Sequence, residues 1–170
     1  VYAVDKAGNK SDRVQVSLTS YPQEVGHQHF VTGAISGAYD GITMLTRAFS
    51  PYQVKGEVTF LSSSELYVEP GVVLRFDPDA SISVQGQAYF WGTKKAISLE
   101  PVGEIKRKKA YLTLSSDKAV QMTGVNFVDA GQGVMVDRGQ VSMDSIAFTN
   151  TRFTALTVSG EGSVEIKHCV

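Results

Sequence analysis

Apolar residues recur along this chain at a nearly constant interval. Val68, Phe90, Leu112, Val134 and Leu156 fall 22 residues apart at each step. Leu74, Ile97, Val120, Val141 and Val164 form a second series beside them, and Phe76, Leu99, Met122, Met143 and Ile166 a third, at intervals of 21 to 23. A fixed period of this size means one structural unit per period, stacked on the last. Each unit is built from short segments in which apolar and polar positions alternate, the period of a strand and not of a helix. The first series is expected to point inward as one column.

From residue 51 the pattern is regular. Val54, Val58 and Phe60 alternate with polar residues, followed by Leu66 and Val68 and a Pro70-Gly71 turn. Val72, Leu74 and Phe76 come next, then Asp77-Pro78-Asp79, then Ile82 and Val84. Three short strands per period of about 22 residues predict an all-β fold, a right-handed parallel β-helix of about five turns. In such a coil each crossover is the rest of the turn, and inward side chains stack on their equivalents about 4.8 Å away.

Upstream the pattern weakens. Residues 31–50 carry Ile35, Ala38, Ile42, Leu45 and Phe49 at helical spacing, but Gly33, Gly37, Gly41 and several β-branched residues oppose a helix. They are expected to form an irregular β cap on the first end of the coil, with a capping helix as the competing reading. Residues 19–30 lack periodicity and read as a linker. Within it His27 and His29 would share one face of a strand and could chelate a metal, yet no third ligand lies near them, so a polar linker is expected. Residues 1–18 alternate on both sides of Ala7-Gly8-Asn9, a hairpin signal.

Two stretches resemble known families. The string Tyr2 to Ser11, with its Ala-Gly-Asn turn, resembles the last two strands of bacterial immunoglobulin-like or fibronectin-III-like modules. Residues 50–100, with Ser50-Pro51-Tyr52 and Glu69-Pro70-Gly71-Val72, resemble the opening turns of pectate-lyase-like β-helix domains of large bacterial surface and secreted proteins. The resemblance implies an extracellular or cell-surface location. Both ends fall inside a motif: Val120-x-Met122-x-x-Val125 and Val141-x-Met143-x-x-Ile146 begin a third time as Val164-x-Ile166-x-x-Cys169. This register makes Cys169 an inward apolar position and implies that the coil is truncated at its C-terminus.

Composition adds limits. The chain has 170 residues, 42% apolar and 19% charged, which suits one domain-sized core. A net charge of -1 does not indicate bulk attraction to nucleic acid or anionic membrane. No apolar run approaches the roughly 18 residues of a membrane span. One cysteine rules out an internal disulfide framework, and no cofactor or metal is called for.

Candidate chemistry lies on the outward positions. The resemblance to pectate-lyase-like enzymes would call for clustered carboxylates that bind calcium, and β-helix glycosidases use a carboxylate pair. Asp129, Asp137 and Asp144 map to three different places around the coil, and Asp77 and Asp79 suit turn chemistry. Tyr67, Tyr89 and Tyr111 are 22 apart and each precedes an inward residue, so all three are expected to point outward beside Trp91. Such a face would form a self-stacking ladder, a protein contact or a glycan contact. Lys106, Arg107, Lys108 and Lys109 form a basic loop in an insertion over residues 101–110, read as solvated. The sequence thus points to a non-catalytic structural or adhesive segment of a large extracellular protein, with self-association into filaments as one form of it. Its partners would be copies of itself, the rest of a parent chain or an extracellular glycan. A polysaccharide-binding or polysaccharide-degrading module is the alternative.

Overall fold

The computed structural model describes residues 28–103 and 109–170, together with Ala7, a turn residue. The hairpin expected over 1–18 and most of the 19–30 linker lie outside the described residues. The chain forms an all-β parallel solenoid, or β-helix, of about six turns. All of its strand pairs are parallel.

Three faces run along the coil. The first consists of β1 (Gln28–Phe30), β3 (Ile42–Leu45), β5 (Glu65–Val68), β8 (Gln87–Trp91), β11 (Val120–Thr123) and the second halves of β13 (Gln132–Asp144) and β15 (Leu156–Lys167). The second holds the first parts of β2 (Ala34–Tyr39) and β4 (Tyr52–Phe60), then β6 (Val73–Phe76), β9 (Ile97–Pro101), β12 (Val125–Val128) and β14 (Ala147–Thr149). The third is formed by the ends of β2 and β4, by β7 (Ser81–Val84) and β10 (Ala110–Ser115), and by the first halves of β13 and β15. A single turn of 3-10 helix, Arg47–Phe49, separates β3 from β4. No helix among the described residues is long and apolar enough to cross a membrane.

Residues 34–45, inside the expected irregular cap, form regular strands that pair in register with β4 and β5, so the coil starts upstream of residue 51. The glycines there do not oppose this order. Gly37 and Gly41 have φ of 74° and 61°, which suits the corners where the chain changes face.

Every member of the 22-residue series from Val68 to Val134 is buried, and Leu156 on the last turn is partly buried. They do not form one column. Phe90 lies between Val68 and Met122, whereas Leu112 stacks between Ile82 and Val134 on the third face. The true column on the first face is Leu45, Val68, Phe90, Met122, Met143 and Ile166. The insertion after Pro101 lengthens its turn, so Phe90 and its partner Met122 are 32 residues apart. An offset of 22 taken across that insertion lands one face early, on another inward position.

The corner leading from the third face to the first is a stack of small residues. The buried Ser116 hydroxyl donates to the Gly86 carbonyl at 2.6 Å and accepts from the Lys118 N–H at 3.0 Å. Gly139 follows on the next turn with φ of 85°, and a Cβ there would sit 1.7 Å from the Ser116 carbonyl oxygen. Only glycine permits that approach, and it lets β13 bend from one face onto the next without breaking.

Candidate functional site

Strand alternation on the first face buries Leu66, Val68, Ala88 and Phe90 and turns the intervening residues outward. Tyr67 and Tyr89 are therefore in register on consecutive turns, and Trp91 follows two residues after Tyr89. Their rings meet. The Tyr67 and Tyr89 centroids are 5.3 Å apart at an interplanar angle of 18°, and Trp91 lies 5.5 Å from each. Stacking covers much of Tyr67, while Tyr89 and Trp91 remain half-exposed.

Polar neighbours hold the rings in place. The Tyr67 hydroxyl donates to Glu65 Oε2 at 2.8 Å, and Gln87 Nε2 donates to the Tyr89 hydroxyl. Burial, aided by the Glu65 hydrogen bond and the charge of Glu65, pushes the Tyr67 phenol well above its ordinary value. It stays protonated, and so remains a donor, throughout the physiological range.

Tyr111 does not join this ladder. It is buried at 1% exposure, stacks on Phe76 with centroids 4.5 Å apart, and directs its hydroxyl to the Val128 carbonyl at 3.4 Å. The expectation that it points outward fails because it sits at a corner just after the insertion. There Ala110, Tyr111 and Leu112 are buried in succession and alternation does not hold. Lys109 is exposed, and Lys106, Arg107 and Lys108 lie outside the described residues.

The carboxylates occupy separate corners. Asp129 accepts from Asn150 Nδ2 at 3.1 Å, and Asp137 accepts from Ser115 Oγ at 3.5 Å and from Ser159 Oγ at 3.4 Å. Asp144 contacts His168 Nδ1 at 2.9 Å and accepts from Ser145 Oγ at 3.1 Å. The His168 hydrogen bond, then that of Ser145, holds the Asp144 carboxyl below its ordinary value. Asp77 sits on its turn and accepts from Gln53 Nε2 at 2.7 Å. His29 meets Asp40 at 3.1 Å, and His27 lies outside the described residues. Among the described residues no three metal-ligating side chains form a cluster. Cys169 lies opposite Ile146, because Val170 exchanges backbone hydrogen bonds with Ile146 and Phe148. It is half-buried against the core, the apolar role its register implies.

Sequence reasoning did not find the groove on this same face. It crosses the last three turns below the aromatic rings, has a volume of about 770 Å³, and is lined by residues 117–121, 138–142 and 161–165. Gln121 and Ser142 continue the outward row of Tyr67 and Tyr89, since Gln121 is in register with Tyr89 and Ser142 with Gln121. The signal for it was present in the sequence as small or flexible polar residues following two tyrosines, but the insertion hid the register. Comparisons with protein-family models, with curated proteins and with solved structures find no match for this chain.

Proposed function

We propose that this chain is a non-catalytic structural segment of a secreted or cell-surface protein, in which the coil serves as a stiff spacer. One observation carries the reading: the outward carboxylates that could have served chemistry tie consecutive turns together. Asp129 reaches Asn150, Asp137 links Ser115 to Ser159, and Asp144 reaches His168, each across about one turn. Stacked apolar columns and parallel ladders do the same in the interior, so each turn resists bending through its neighbours. The resemblance of Glu69-Pro70-Gly71-Val72 to the opening of pectate-lyase-like coils, and of residues 2–11 to the end of immunoglobulin-like modules, supports a bacterial surface setting.

The partners of such a spacer are further β-strands, from a parent chain or a second copy. Val158 and Ile166 support this: they continue the inward columns, yet are 47% and 52% exposed on the outermost turn. An open strand edge over apolar side chains accepts another strand readily. The test is incubation with polygalacturonate and calcium, followed by measurement of unsaturated products and reducing ends. The expected result is no cleavage. Cleavage that disappears in Asp129→Asn or Asp137→Asn would overturn the reading.

A further inference from the structure

We propose that the first face binds a neutral, linear polysaccharide strand lying along the coil axis. Tyr89 and Trp91 would supply the stacking surface, and the groove beneath them the hydrogen-bonding floor. This goes beyond the spacer role and does not depend on it.

The two parts of the site are contiguous. Tyr67, Tyr89, Gln121, Ser142 and Glu165 are successive outward residues in one register. Four strand spacings of about 4.8 Å make that row roughly 19 Å long, enough for several sugar units in a line. Thr123 extends the second row in the same way, in register with Trp91. A pyranose ring has apolar C–H faces and a rim of hydroxyls, so it needs an aromatic surface beside hydrogen-bonding groups. The rings provide the first. Gln121, Gln140, Ser142 and Ser163 line the groove with the second, offering both donors and acceptors.

Charge selects among glycans. Lys118 and Arg138 line the groove opposite Asp117, Glu161 and Glu165, and Arg138 Nη1 lies 3.8 Å from Asp117. The acidic side chains outnumber the basic ones, so a polyanion such as a uronic acid polymer or a nucleic acid gains no net attraction there. An apolar protein segment would leave the amides and hydroxyls of the groove without partners, at a cost for each. A neutral chain rich in hydroxyls meets neither penalty.

Trp91 is the only tryptophan and stands in the site, so its fluorescence reports binding directly. The whole protein is titrated with cellohexaose, xylohexaose and mannohexaose, and with polygalacturonate and heparin as charged controls. At least one neutral oligosaccharide is expected to give a saturable change in Trp91 emission. Tyr89→Ala should weaken that binding about tenfold, the scale of losing an aromatic anchor. Tyr89→Phe, which keeps the ring, should retain it, and Ser142→Phe, which fills the groove from an outward position, should abolish it. Should Tyr89→Ala disturb the fold by circular dichroism, Ser142→Phe carries the test. Three results would overturn the proposal: no saturable signal with any neutral oligosaccharide, tighter binding to either charged control, or binding left unchanged by Ser142→Phe.

Discussion

Replacing Phe90 by alanine tests the stack at its middle. Phe90 is fully buried between Val68 above and Met122 below. Both neighbours are anchored by parallel ladders on either side, so the backbone cannot close over the space left by the ring. Truncation of a buried phenylalanine in such a site costs about 3–5 kcal/mol. Ile166 belongs to the same column, but on the outermost turn it is 52% exposed. Its truncation to alanine forfeits only part of the roughly 1.5–3 kcal/mol that full burial of such a side chain contributes, or about 1 kcal/mol. Urea denaturation followed by far-ultraviolet circular dichroism measures both. With a slope near 2 kcal/mol per molar, the Phe90→Ala midpoint should fall by about 2 M and that of Ile166→Ala by about 0.5 M. Hydrogen exchange should show β5 and β11 losing protection in Phe90→Ala, since each turn is stabilised chiefly by its neighbours. Equal midpoint shifts for the two variants would refute this account of the column.

Two further predictions concern register and pH. With Cys169 replaced by alanine, Tyr89→Cys and Gln121→Cys should oxidise to a disulfide, because paired Cα atoms about 4.8 Å apart suit the bond. The pair Tyr89→Cys and Tyr111→Cys should stay reduced by thiol titration, and the opposite pattern would restore the uniform 22-residue column. The Asp144 carboxyl, held low by His168 and Ser145, favours the ionised folded state. Its contribution is present above the ordinary carboxylate value near 4 and is lost as pH falls through the lower folded value. Carbon-13 titration should place Asp144 below ordinary aspartates and bring it back toward them in His168→Ala; an unchanged titration would remove His168 as the cause.

The sequence by itself determined the solenoid and its inward positions. Alternation is a property of the local backbone, so Leu66, Val68, Ala88, Phe90, Val120 and Met122 could be assigned to the interior without knowing what lay beside them. The outward placement of Tyr67, Tyr89 and Trp91 followed from the same rule. Tertiary structure decided which turn lies on which. That depends on the full length of each circuit, and the insertion after Pro101 moved Phe90 from Leu112 to Met122 while leaving both buried. It also decided the fate of Tyr111, whose corner position suspends alternation and places the ring on Phe76. The groove came from the same nonlocal step: Gln121 and Ser142 are 32 and 53 residues beyond Tyr89 in the chain, and only the ladder between turns brings them beneath it.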